Sequence, residues 1–111
     1  MACAGGLARS GTRRKQLLQK NPRTHTILAG DFLSPSALGT AKVNGEPLAG
    51  KHFVAVLNVM GLDWATFGNH EFDLNEKPLK ARLKECRFKM FSSNVFNAAG
   101  KPFEGIPPYE I

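Results

Sequence analysis

Residues 68–73 read Gly-Asn-His-Glu-Phe-Asp. Within six positions they supply an amide oxygen, an imidazole and two carboxylates, the groups from which metal ligands and acid–base catalysts are made. The apolar run Trp64-Ala65-Thr66-Phe67 stands just before them and predicts a buried strand that ends at Gly68. A glycine there gives the chain freedom to swing polar side chains into one cavity. Upstream, Thr26-Ile27-Leu28-Ala29 runs into Gly30-Asp31 in the same way. Two strands, each ending in Gly followed by a metal-competent side chain, predict one site built from two strand ends. Taken singly, Asp31 and Asp73 read as loop or capping residues, and Asn69 as a residue that tolerates left-handed geometry. Only their conjunction points to chemistry. His25 and His52 have no carboxylate neighbours and read as surface histidines.

Gly30-Asp31 and Gly68-Asn69-His70-Glu71-Phe72-Asp73 resemble the second and third signature blocks of the calcineurin-like metallophosphoesterases. The full six-residue form is similar to the 5′-nucleotidase branch of that superfamily. The similarity continues through Asp31-Phe32-Leu33-Ser34-Pro35-Ser36 and Ser92-Ser93-Asn94-Val95, and runs from Gly5-Gly6-Leu7-Ala8-Arg9 to the last residues. It implies a hydrolase acting on nucleotides or related phosphate esters. That reaction needs charge on the phosphoryl oxygens offset and a hydroxide supplied near neutral pH, which two divalent cations roughly 3.5–4 Å apart provide. The resemblance places Asp31 as the carboxylate bridging the two metals and Asn69 as a neutral amide ligand to one of them. It places His70 as the catalytic histidine that contacts the phosphate, and Asp73 as the acid that fixes its tautomer and favours imidazolium. Glu71 is assigned a structural or supporting part, and Ser93-Asn94 no more than support. Oxygen and imidazole ligands suit Mn, Zn, Fe or Mg in different degrees.

The family also needs an Asp-x-His block on a strand ahead of Gly5-Gly6, and a lone histidine and a Gly-His-x-His block beyond Ile111. No Asp-x-His occurs in the sequence. The expectation is therefore an internal fragment, residues 1–111, of a catalytic domain whose true start lies upstream and which is inactive alone. The fold class expected is α/β: a partial metallophosphoesterase-type β-sandwich flanked by helices, lacking the first strand and the C-terminal half. The alternative is a non-catalytic remnant or binding module that keeps the scaffold without a complete metal site.

The elements that must carry these residues follow from periodicity. A first helix is predicted over residues 7–19, stopping near Asn21-Pro22, although Ser10, Gly11 and Arg13 stand where the family carries apolar residues. A strand follows over 26–29. Residues 32–45, rich in Ser, Pro, Gly and Asn, read as a loop that could line a substrate cleft. Phe53, Val56, Leu57 and Met60 obey helical spacing, and Gly61 supplies the left-handed stop. After the strand at 64–67, a helix begins near Asn75, tolerates Pro78 in its first turn, and turns Leu79, Leu83 and Cys86 inward. Residues 88–92 read as a buried strand, and 109–111 as the start of another.

At 111 residues and net charge +6 the chain is one domain or part of one. Its basic residues are scattered over solvated faces with little aromatic interleaving, so nucleic-acid binding is not expected. No apolar run approaches a membrane span. Met1–Gly6 has no cationic start followed by an apolar core, so it is no signal peptide, while the resemblance implies a family often periplasmic or secreted. Cys3 and Cys86 form no close metal-ligand pair, and Cys86 is expected as a buried thiol.

Overall fold

The computed structural model describes residues 6–38, 41–109 and 111. The expectations resting on Cys3, Gly5 and Glu110 lie outside the described residues. Helix α1 is Leu7–Lys20, α2 Lys51–Met60 and α3 Glu76–Glu85. Strands β1 (Ile27–Leu28), β4 (Trp64–Ala65) and β5 (Lys89–Met90) form a parallel sheet in the order β1-β4-β5. Strands β2 (Lys42–Val43) and β3 (Glu46–Pro47) make a separate antiparallel pair.

The strands predicted at 26–29, 64–67 and 88–92 are present and shorter than the sequence suggested. Ladder bonds continue beyond the assigned pairs, from Asp63 N–H to Thr26 O, from Thr66 N–H to Leu28 O and from Phe91 N–H to Ala65 O. What ends β1 is backbone geometry: Gly30 and Asp31 both have positive φ, 88° and 57°. Helices α2 and α3 are the crossovers that parallel pairing demands. They are joined through Asn58, whose amide donates to Glu85 O and accepts from Arg87 N–H, both at 2.8 Å.

In register, Leu28, Ala65 and Met90 lie side by side, as do Ile27, Trp64 and Lys89. The first row faces the core with Val54, Leu57, Leu62 and Leu79. The second row is on the opposite face, where Ile27 is 61% exposed.

Four expectations need correction. The stretch 32–45, expected as loop with at most a short turn, contains β2 and the turn of the β2–β3 hairpin, made by Asn44 and Gly45 with φ of 52° and 82°. Positive φ at both central residues is the geometry that twists with paired strands. The buried face of α2 is centred on Val54 and Leu57, and Val56 is exposed; the α2 stripe is therefore rotated toward Val54. Tyr109 and Ile111 carry no strand. His25 is exposed, edge-on to Trp64, but His52 is half-buried.

Helix α1 buries none of its residues fully, in keeping with its polar positions at Ser10, Gly11 and Arg13. It is attached by Leu7, which packs against the core, and by a polar contact, Arg14 Nη2 lying 3.3 and 3.4 Å from the two carboxylate oxygens of Asp63. Gly61 caps α2 with φ 77°, as its type requires. Cys86 is half-buried, its thiol donates to Arg82 O at 3.3 Å, and burial pushes its pKa up to about 12. No helix among the described residues is long and apolar enough to cross a membrane.

Candidate active site

The two strand ends meet at the C-terminal edge of the sheet, and Glu71 joins them. Residues Asn69–Asp73 form a short 3₁₀ turn directly after Gly68. From its centre the Glu71 side chain enters the interior, where the residue has no exposed surface. Its Oε1 accepts from the N–H groups of Phe32 and Leu33 at 2.7 and 3.1 Å. Its Oε2 accepts from Asp31 N–H at 2.8 Å and Gly68 N–H at 2.6 Å. A buried carboxylate is tolerable when such donors replace its hydration. Three of these bonds tie the segment after β1 to the turn after β4, and the fourth, from Gly68, closes that turn on itself.

The approach is close enough to exclude side chains. A Cβ on Gly30 would collide with the backbone of Gly68, and a Cβ on Gly68 would collide with the carboxylate of Asp31. At Gly68, whose φ is −97°, the requirement is for space alone. Gly30 also needs its positive φ. Asp31 itself sits in left-handed geometry, a strained conformation for a side-chain-bearing residue that recurs at functional sites.

Asp31 is exposed, and its Oδ1 accepts from His70 N–H at 3.0 Å. His70 Nδ1 lies 2.7 Å from Asp73 Oδ2. That bond, followed by the negative charges of Asp73, Asp31 and Glu71, raises the His70 pKa above its ordinary 6.5, against a smaller opposing effect of burial. With Nδ1 committed to Asp73, Nε2 is the nitrogen left to meet a ligand, as acceptor when neutral and donor when protonated. Asn69, the first residue of the turn, is exposed beside this pair. Phe72 packs with Phe67 and Phe103 at centroid distances of 5.3 and 6.2 Å, bracing the turn from the other side. Ser92 is buried and donates to Asn94 Oδ1 at 3.1 Å, while Ser93 and Asn94 are exposed just past β5.

Asp31, His70 and Asp73 are thus linked in one hydrogen-bonded set, with Asn69 at its edge. The sequence reading understated Glu71. A carboxylate three residues after a glycine that ends an apolar strand can return to cap that glycine's N–H, and this was the available signal.

Asp31 and Asn69 fit a hard divalent cation in kind, as one carboxylate and one amide oxygen. They would supply one oxygen donor each. Among the described residues no group of three or more His, Cys, Asp or Glu side chains is arranged to hold a metal ion.

No family model matches the chain. Individual relatives do. It is 34% identical to the 5′-nucleotidase of Bos taurus over 94 residues, 84% of this chain and 15% of that protein. It is 28% identical over 112 aligned positions to the trifunctional nucleotide phosphoesterase protein YfkN of Bacillus subtilis, 96% of this chain and 8% of that protein. The crystal structure of the calcineurin-like phosphoesterase YfkN superposes with a TM-score of 0.71 at 26% identity, covering 86% of this chain and 30% of that one. The described residues carry part of the calcineurin-like phosphoesterase fold. A protein in the pqq-V 5′ region of Acinetobacter calcoaceticus is also similar, 32% identical over 101 residues, 91% of this chain and 47% of that protein. The chain therefore spans less than half the length of these relatives. The expected α/β class holds, as a partial domain that carries the parallel strands and the Asn69–Asp73 turn.

Proposed function

We propose that this chain is an internal part, residues 1–111, of a two-metal phosphoester hydrolase of 5′-nucleotidase type. Its substrates would be nucleotides or related phosphate esters, and the chain alone would not turn them over. The observation that carries the reading is the hydrogen-bonded set Asp31–His70–Asp73, held by Glu71 at the junction of two parallel strands. Bound divalent ions would supply charge neutralisation and a nucleophile near neutral pH, with Asp31 and Asn69 among the residues holding them. The rest falls to the chain's own groups. Asp73 orients the imidazole and favours its proton. His70 Nε2–H then donates to a phosphoryl or leaving oxygen, stabilising charge that grows as the ester bond breaks.

The test is a chimera in which residues 6–111 replace the matching segment of the YfkN domain. Phosphate release from AMP and metal content are measured together. His70→Asn should lower kcat by about 10²–10⁴, the usual contribution of an acid–base group, with metal content retained. Asp31→Ala should lose metal and activity together. If His70→Asn sheds metal as Asp31→Ala does, His70 is a ligand and the proposed roles are wrong.

A further inference from the structure

A cavity of about 770 Å³ opens between the β2–β3 hairpin and α3, within the size range of small-molecule sites, about 300–1,000 Å³. Its apolar walls include Val43, Pro47, Pro78 and Ala81, and three cationic side chains line it: Lys51, Lys77 and Arg82. The hairpin adds one carboxylate, Glu46. Lys51 and Lys77 are exposed and form no ion pair among the described residues. Arg82 is different. Its side chain is 11% exposed, Nη1 donates to Leu48 O at 3.1 Å and Nη2 to Glu85 at 2.6 Å. Its Nε is buried and has no acceptor among the described residues.

Asp31, Asn69, His70 and Asp73 do not line the cavity, but the chain connects the two. Lys77 follows Asp73 by four residues and lies in the first turn of α3. Leu33, whose N–H is held by Glu71, is the side chain against which Gly50 closes, next to Lys51. Both helices begin at the sheet edge where Asp31 and His70 stand, because each is the return limb of a parallel crossover.

We infer that this cleft binds a phosphate-bearing ligand of nucleotide size. The cations engage phosphate oxygens and the apolar wall takes the flat base. The choice of a nucleotide rests on the phosphoester reading given above; the binding itself needs no turnover.

The experiment is a ¹⁵N NMR titration of the 111-residue chain with AMP, adenosine and inorganic phosphate. AMP should shift the amides of Lys51 and Lys77 and the Arg82 Nε–H saturably. Adenosine and phosphate should each bind at least about tenfold more weakly, a factor worth about 1.4 kcal/mol. The double variant Lys51→Glu/Lys77→Glu should weaken AMP binding by a similar factor, and raising salt from about 50 mM to about 200 mM should weaken it further. Lys15→Glu, on the exposed face of α1 and away from the cleft, should leave it unchanged. Adenosine binding as tightly as AMP, or a charge-reversed variant binding as the parent does, would overturn the inference. AMP shifts confined to residues 69–73 would overturn the cleft while leaving the phosphoester reading intact. Shifts in the cleft, together with a chimera whose turnover ignores His70→Asn, would do the reverse.

Discussion

Glu71 presents four backbone N–H groups with one carboxylate, two to each oxygen. A neutral amide cannot repeat this, because its NH₂ end would face two donors. Glu71→Gln should therefore cost about 2–5 kcal/mol, from two buried N–H groups left without acceptors, read by urea or thermal unfolding. A loss below about 0.5 kcal/mol would show that the four bonds contribute little. His70 is a gentler case, since the pair with Asp73 is half-exposed. The bond to Asp73 raises the folded-state pKa of His70, so the folded state holds the proton to higher pH than the unfolded chain does. The stabilisation is fully present below about pH 6.5, the unfolded value, and disappears as pH rises through the raised folded value. An NMR titration of the imidazole should give a midpoint above 6.5 that falls in Asp73→Asn. An unchanged midpoint would mean that the Asp73 contact does not govern His70.

Among the elements, stability is expected to be uneven. Helix α1 buries no residue fully and is held by Leu7 and the Arg14–Asp63 pair, whereas Val54 and Leu57 of α2 are each 1% exposed. Amide exchange should accordingly be faster throughout α1 than in the middle of α2, because local opening is easiest where little apolar surface is lost. Equal protection in the two helices would contradict this. Much of this element order was legible in the sequence. The helices of residues 51–60 and 76–85 announced themselves by periodicity, by Gly61 and by the tolerated Pro78, and the end of the helix of residues 7–20 by the stop at Asn21-Pro22. The hairpin was missed because Lys42-Val43 and Glu46-Pro47 are too short for alternation to register, although Asn44-Gly45 is a strong turn signal. The rotation of α2 was hidden because Phe53, Val54, Val56, Leu57, Val59 and Met60 make it apolar nearly all round. Only packing chooses its buried side. At the site the sequence identified Asp31, Asn69, His70 and Asp73 as a group. It could not show that Glu71 reaches back across 38–40 positions to Asp31, Phe32 and Leu33, a contact that only the meeting of two strand ends creates.

At the scale of the whole molecule, the radius of gyration is 15.1 Å, where a compact domain of this length has about 13 Å. The excess agrees with a sheet covered on one face, with Ile27, Trp64 and Phe91 lining an open apolar hollow on the other. The same openness bears on metal binding. Asp31 and Asn69 would offer two oxygen donors from an exposed edge, and no further cluster of candidate ligands exists among the described residues. A hard divalent ion takes about six oxygens, so water would complete most of its shell and little free energy would be gained over the hydrated ion. Calorimetric titration of the chain with Mn²⁺ and with Zn²⁺ should give dissociation constants no tighter than about 0.1 mM, near 5.5 kcal/mol of binding. Asp31→Ala should abolish even that, and phosphate release from AMP should stay at the buffer rate throughout. Two ions bound tightly per chain, or turnover of AMP by the chain alone, would mean that it assembles a complete site by itself, and the reading of it as one part of a larger phosphoesterase would fail.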